Sequence, residues 1–230
     1  MDKPSRAIRA LIFDFDGLIL DTEGPEFLAW SEIYAEHGAR LDLESWATSI
    51  GTVGGFDPYA ELEARIGRPI ERERVRNWRR ARTQALITAE VLRPGVRQYL
   101  TRAKQLGIGT AVASSSPRSW VADHLERLGV IQEFQYLRCA EDVEQVKPDS
   151  ALYLAAAGAL GVLPEEAIAI EDSPNGVLAA NRAGIFCVAV PNPLTSQLPL
   201  GHADLRLNAL TDLTLDELLE VIRARRATDR

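Results

Sequence analysis

The chain predicts an α/β fold, a doubly wound and mostly parallel sheet with an inserted all-α domain. Three observations carry this reading. The run Leu11-Ile12-Phe13 ends abruptly in Asp14-Phe15-Asp16-Gly17, as expected of a buried strand whose carboxyl end faces a ligand. From about Arg93 onward, short apolar runs alternate with helical patterns, the signature of a parallel sheet covered on both faces. Between these regions, residues 19–91 show helical periodicity and no convincing strand.

The elements follow in order. Two acids are not tolerated inside a buried strand, because an unpaired buried charge costs several kcal/mol. Asp14 and Asp16 are therefore expected at the strand's carboxyl end. In the inserted segment, Phe27, Trp30 and Tyr34 fall on one helical face, Leu62 and Ile66 lie four apart, and Val75, Trp78, Ala81 and Ala85 recur at helical spacing. Three or four helices are expected, entered near Leu18–Thr22 and left near Leu92–Pro94. The predicted division is a sheet domain of residues 1–18 and 92–230 and a helical domain of residues 19–91. Later strands are expected at Ile108–Ala113, Phe134–Leu137, Ala167–Ile170 and Ile185–Val190, with helices near 95–106, 117–128, 149–160 and 174–183. Gly107, Gly129, Gly161 and Gly184 each follow a helix, as terminating glycines do. Ser116-Pro117 and Ser173-Pro174 each read as an N-cap followed by proline in the first helical position. Residues from Arg223 to the end read as a polar tail.

Composition narrows the function. A net charge of −7 gives nucleic-acid binding no general electrostatic support, and the arginines between Arg72 and Arg82 read as a solvated helix face. Two cysteines, Cys139 and Cys187, make neither a disulfide framework nor a zinc spacing. His37, His124 and His202 are isolated and read as surface or packing residues. No stretch approaches the length of a membrane helix and the start lacks a signal sequence. The expectation is a cytoplasmic monomer.

Four polar patches fall at predicted strand ends: Asp14-Phe15-Asp16, Ser114-Ser115-Ser116, Val146-Lys147-Pro148 and Glu171-Asp172-Ser173. Strand ends of one parallel sheet converge, so the patches are expected to form one site. Clustered carboxylates repel and need a cation to stay ionised together. Oxygen ligands without histidine favour Mg²⁺ over zinc. Lys147, the serine hydroxyls and two helix N-termini would complete a pocket for a phosphoryl group. One carboxylate can attack phosphorus, and the other can serve as acid and base.

These residues carry a family resemblance. The stretch from Phe13 to Glu23 resembles motif I of the haloacid dehalogenase superfamily, Ser114 in Ala113-Ser114-Ser115-Ser116 resembles motif II, Lys147-Pro148-Asp149 motif III, and Ile170 to Gly176 motif IV. Helices inserted after motif I resemble the cap of the β-phosphoglucomutase and sugar-phosphate phosphatase branch. The resemblance implies Asp14 as nucleophile, Asp16 as general acid and base, and Ser114, Ser115 and Lys147 as phosphate-binding residues. Lys147 counts among the catalytic residues too. It implies Mg²⁺ held by Asp14, the main-chain carbonyl of Asp16, and Asp172, with Glu171 a direct or water-mediated partner. Thr22 would sit at the hinge. Dehalogenases of the superfamily resemble sequences without the second acid, so Asp16 implies a phosphate substrate.

The expected function is a Mg²⁺-dependent phosphatase of a small phosphorylated metabolite. A mutase is the alternative. Mutases of the branch carry a histidine shortly after motif I and a cap arginine. This chain has Glu26 near the first position and no arginine in the loop Ile50–Asp57. A catalytically silent phosphate-binding protein would be expected to lose a motif residue, and none is lost. Trp46, Ser49, Thr52, Phe56 and Asp57 are candidates for lining the substrate pocket, with packing an equal role for the aromatics.

Overall fold

The computed structural model describes residues 7–48, 50 and 56–228. Among them, six strands form one parallel sheet: β1 (Ala10–Phe13), β2 (Gly109–Ala113), β3 (Tyr136–Arg138), β4 (Ala167–Glu171), β5 (Phe186–Ala189) and β6 (Leu205–Arg206). Their order is β3-β2-β1-β4-β5-β6. The central β1 pairs with β2 on one side and β4 on the other, and the register sets Phe13 beside Val112 and Ile170. The chain winds outward from β1 in both directions. That is the switch point where such sheets open a crevice at their carboxyl ends.

Helices follow the strands: α1 (Glu23–Glu36), α2 (Leu43–Ala47), α3 (Pro58–Ile66), α4 (Arg72–Ala89), α5 (Val96–Leu106), α6 (Arg118–Arg127), α7 (Ala151–Ala159), α8 (Pro174–Arg182) and α9 (Leu215–Thr228). Alternate strand residues feed two cores. Leu11, Phe13, Val112, Ile168 and Ile170 pack with Tyr99, Leu100, Val121, Leu125, Leu218 and Ile222 from α5, α6 and α9. On the other face Ala10, Ile12, Ala111, Ala113, Ala167 and Ala169 pack with Leu152, Tyr153, Ala156, Val177 and Ala180 from α7 and α8. The small residues of that face let α7 and α8 lie close to the sheet. Of the described helices, none is long and apolar enough to cross a membrane.

The inserted segment is helical, as expected. Trp30, Ile33, Tyr34, Leu41, Trp46, Leu62 and Val75 form its own cluster, which Leu194 and Leu198 join from the segment after β5. Helical spacing alone does not say which side of α4 faces inward. Val75, Thr83 and Ile87 point inward, while Trp78 is 42% exposed and Ala81 and Ala85 lie outside. The arginine-rich face is not wholly solvated. Arg79 pairs with Glu26 and Arg82 with Glu32, tying α4 to α1, and Arg72 pairs with Glu63.

Three further differences have local causes. Ser116 does not cap α6. Pro117 is the cap residue, in extended conformation, and the Glu141 carboxylate accepts from the Arg118 N–H at 3.1 and 3.2 Å. Ser173 does cap α8, accepting from the Gly176 N–H at 3.1 Å. The supposed polar tail is helical through Thr228. Thr214 and Glu217 exchange side-chain bonds with each other's backbone N–H, a capping box, and Leu215, Leu218, Leu219 and Ile222 bury the inner stripe. That signal, Thr-x-x-Glu ahead of an apolar stripe, stands in the sequence. Two-residue β6 at the sheet edge has no comparable signal.

Candidate active site

The site builds from the carboxyl ends of β1, β2 and β4. Asp14 follows β1 directly, and its N–H donates to the Ile170 carbonyl at 2.9 Å, which continues the ladder and brings it level with the end of β4. Glu171 is the last residue of β4, and Asp172 comes next. Lys147 enters from the segment ahead of α7. One carboxylate oxygen each of Asp14, Glu171 and Asp172 lie within 4.8 Å of one another, and all three residues are buried.

Lys147 is 1% exposed and bridges the group. Its ammonium donates to Asp14 and, at 2.6 Å, to Glu171. Glu171 is saturated: Oε1 also accepts from the Tyr153 hydroxyl at 2.8 Å, and Oε2 accepts from the N–H groups of Asp172 and Ser173 and from the Ser173 hydroxyl, at 3.0 to 3.2 Å. Asp172 is half-satisfied. Its Oδ2 accepts from Asn192 at 2.9 Å and Thr195 at 3.3 Å, while its buried Oδ1 has no hydrogen-bond partner among the described residues. Two glycines leave room for these acids. A Cβ on Gly17 would strike the Asp172 carboxylate and one on Gly176 the Glu171 carboxylate.

Three buried acids against one lysine leave the group short of positive charge. Burial pushes the Asp14 carboxyl up to about 8 against the pull of Lys147, with Glu171 and Asp16 adding to the rise. Asp172 is raised well above the usual carboxylate range by burial, then by Asp14 and Glu171. Burial works against the Lys147 charge, but Asp14 and Glu171 outweigh it and hold the ammonium above its ordinary range.

Asp16 stands apart from this group. Its Oδ1 accepts from Thr22 at 2.8 Å and from the Trp120 indole at 2.9 Å, and its Oδ2 from Ser116 at 2.6 Å and Ser114 at 3.3 Å. Asp14 and Asp16 open on a cleft of about 300 Å³, which Ser114, Ser115 and Ser116 border from the sheet side. Glu23, Glu26, Thr83 and Ile87 border it from α1 and α4. Glu26 is tied to Arg79 and accepts from Thr83 at 2.9 Å. The Glu23 carboxyl is raised by burial and then by the acids around it, Asp16 first.

The structure thus gathers Asp14, Lys147, Glu171 and Asp172 in one buried group and sets Asp16, Ser114 and Ser115 along the adjoining cleft. Other sequence candidates fall elsewhere. Asp57 caps α3, accepting from the N–H groups of Tyr59 and Ala60. Trp46 packs against Phe27 and Phe56. Ser49 and Thr52 lie outside the described residues. His124 packs against Trp120 and Phe15. Sequence reasoning passed over Tyr153, Trp120, Asn192, Thr195 and Arg93. Arg93 donates to the carbonyls of Gly17, Val190 and Pro191 at 2.6 to 3.2 Å, tying the return from the helical insertion to the loops after β1 and β5. Asn192 had a usable signal, since the run ending at Val190 stops in Pro191-Asn192-Pro193 at the same sheet edge. Tyr153 and Trp120 had none, because nothing in helical spacing says which aromatic reaches a polar partner.

Comparisons with known proteins agree with this arrangement. The family profile for haloacid dehalogenase-like hydrolases matches residues 8–184. The YhcW protein of Bacillus subtilis (strain 168), by name a phosphatase, is 47% identical over 213 residues, covering 93% of this chain and 97% of that protein. The β-phosphoglucomutase of the same organism is 33% identical, covering 93% of this chain and 95% of the enzyme. The crystal structure of CbbY from Rhodobacter sphaeroides in complex with phosphate superposes with a TM-score of 0.65 at 29% identity, covering 90% of this chain and 96% of the other. The chain belongs to the haloacid dehalogenase-like hydrolases, in the branch of β-phosphoglucomutase and the sugar-phosphate phosphatases, and its enzyme class is that of a phosphatase.

Proposed function

We propose that the chain is a Mg²⁺-dependent phosphatase that frees a small phosphorylated metabolite of its phosphate through an aspartyl-phosphate at Asp14. The observation that carries this is the separation of the two acids. Asp14 belongs to a buried, cation-poor group, whereas Asp16 faces the cleft in a frame of neutral donors.

The donor set fits Mg²⁺. It is all oxygen, and the partnerless Oδ1 of Asp172 marks a buried lone pair that a cation would satisfy. Asp14, Asp172 and the main-chain carbonyl of Asp16 would hold the ion. Glu171, with both oxygens engaged, would act through water and through Lys147. When bound, the ion neutralises charge on the phosphoryl oxygens and keeps Asp14 ionised. Asp14 attacks phosphorus and becomes the aspartyl-phosphate as the ester oxygen leaves. Asp16 gives that oxygen a proton, then takes one from the water that hydrolyses the intermediate. Lys147 and the hydroxyls of Ser114 and Ser115 hold the transferring group. Residues 19–91 act as a cap domain over a core of residues 1–18 and 92–230, shielding the site from bulk water.

Phosphatase is favoured over mutase by the helical wall of the cleft. Glu23, Glu26 and Thr83 face the site there, and Arg79 is engaged by Glu26. A second phosphate would meet carboxylates. The test is phosphate release from a panel of sugar, polyol and nucleotide monophosphates with and without Mg²⁺. Release should need the metal and fall roughly 10⁴-fold or more in Asp14→Asn, as for loss of a covalent nucleophile. Undiminished release from that variant, or with all metal chelated, would overturn the mechanism. Conversion of β-glucose 1-phosphate to glucose 6-phosphate with a bisphosphate primer, without free phosphate, would establish the mutase instead.

A further inference from the structure

We infer that Trp120 is a positioning residue for Asp16, aiming the carboxyl that protonates the leaving group. The inference rests on the phosphatase reading and adds a residue outside the motifs that suggested it. The indole N–H donates to Asp16 Oδ1 at 2.9 Å. It shares that oxygen with the Thr22 hydroxyl, while Ser116 and Ser114 hold Oδ2.

The four donors are not equivalent. Thr22, Ser114 and Ser116 are hydroxyls, which rotate and can accept as well as donate. The indole N–H only donates, and its ring borders the cleft on one side while packing against the core and His124 on the other. Trp120 sits in the first turn of α6, which is pinned at its start. The Glu141 carboxylate takes the Arg118 N–H, and the Arg118 guanidinium bonds the Leu137 carbonyl and pairs with Asp142. The indole meets the His124 ring edge-on at 4.3 Å, and His124 lies against Phe15 at 6.2 Å. Phe15 is fully buried between the two acids in sequence. A rigid chain of contacts thus runs from the sheet through Phe15 and His124 to the indole and back to Asp16. Thr22, by contrast, stands outside the sheet, at the start of the helical insertion just ahead of α1. The indole is therefore the donor that keeps Asp16 in register with the sheet, and so with Asp14.

In the step concerned, the bond between Asp14 and phosphorus forms, the bond between phosphorus and the leaving oxygen breaks, and the proton of the Asp16 carboxyl passes to that oxygen. A leaving group stable as an anion needs no such proton. Two aryl phosphates of nearly equal shape separate the cases. Phenol leaves poorly without a proton, whereas 4-nitrophenolate leaves freely.

The experiment follows product release in the first turnover of Mg²⁺-loaded wild type and Trp120→Phe. Phe keeps the ring packing and removes the N–H. Release of phenol should fall roughly 10- to 100-fold, and release of 4-nitrophenolate by less than about 3-fold, in keeping with the size of proton-transfer and alignment effects. An equal fall for both, or no fall for either, would overturn the inference and leave the phosphatase reading standing. Wild type that releases neither product with Mg²⁺ present, and no phosphate from the metabolite panel, would remove that reading and the inference with it. Should the Phe variant fail to fold, 3-benzothienylalanine at position 120 keeps the bicyclic shape and deletes only the N–H, and the same two outcomes decide.

Discussion

The carboxyl edge of the sheet and the helical insertion hold their charges in opposite ways. At the edge, Lys147, Asp14, Glu171 and Asp172 are all buried, and hydrogen bonds and ion pairs among Lys147, Glu171, Tyr153, Asp14, Asp172 and Asn192 knit together residues from several strands and loops. In the insertion, arginines of α4 reach across to acids of α1 near the surface, and an aromatic cluster beneath them does the packing. The difference teaches where change is tolerated. A buried network cannot lose one member without stranding a charge, so the chemistry is locked as a unit. The helical wall, which lines the cleft with Glu23, Glu26, Thr83 and Ile87, can change one residue at a time.

The largest test of this contrast is to remove the lysine. Lys147→Met leaves Glu171 buried with no cation beside it, and breaking a buried pair in this way costs about 3–5 kcal/mol. Urea unfolding should show a large drop in midpoint with an unchanged slope. A drop no larger than that of a surface lysine such as Lys104, which is exposed and loosely paired with Glu133, would mean that the edge is not held as a unit.

A second, smaller effect sharpens the same point through pH. In the ion-free protein Asp14 titrates up to about 8, against an ordinary 3.8. Between those values the folded chain keeps a proton that the unfolded chain has lost. Its contribution to stability is therefore complete below the unfolded value and is lost as pH rises through the folded one. An ion held by Asp14, as proposed, would demand the carboxylate and expel that proton, so stabilisation by Mg²⁺ should then grow with pH across this window. Saturation of about 100 times the dissociation constant is worth about 2.7 kcal/mol. Melting curves with and without Mg²⁺ at several pH values measure it. Stabilisation that does not vary with pH would show that Asp14 is not a ligand.

The same contrast explains what the sequence reveals. The edge was legible because strand ends in a parallel sheet must converge, and the Asp14, Ser114 and Glu171 patches each end an apolar run; the Lys147 patch does not sit at a strand end as expected but in the polar loop between β3 and α7, from which the lysine reaches the group. Asp14, Lys147, Glu171 and Asp172 meet accordingly, and β1, β2, β4 and β5 fall where their apolar runs lie. The insertion was legible as helix but not as surface. Its helical spacing marked α4 but not which residues face inward, and Arg79 and Arg82 pair with acids of α1 while Ala81 and Ala85 lie outside. Trp120 and Tyr153 escaped because their polar tips are used across the fold, through contacts no local spacing encodes.

The smallest expected effect lies on the helical side, at Arg82 and Glu32. Arg82 donates twice to Glu32, at 2.8 Å each, yet the two side chains are 39% and 33% exposed. The hydrogen bonds from Arg82 lead in holding the Glu32 carboxyl below its ordinary 4.5, with burial working against them and the Arg82 charge adding to the fall. A depressed carboxyl contributes stability above its unfolded value and loses it as pH falls through the folded one, so any contribution fades only in acid. Because water and salt reach the pair, its coupling should be slight and should vanish at high ionic strength. A double-mutant cycle of Glu32→Gln and Arg82→Met, run at low and high salt, measures this. A cycle of Lys147→Met and Glu171→Gln should keep its coupling in salt, since screening ions cannot enter a buried network. If instead the Arg82 coupling resisted salt as the Lys147 coupling does, the insertion would be fixed as firmly as the edge, and its wall could not change independently of the chemistry.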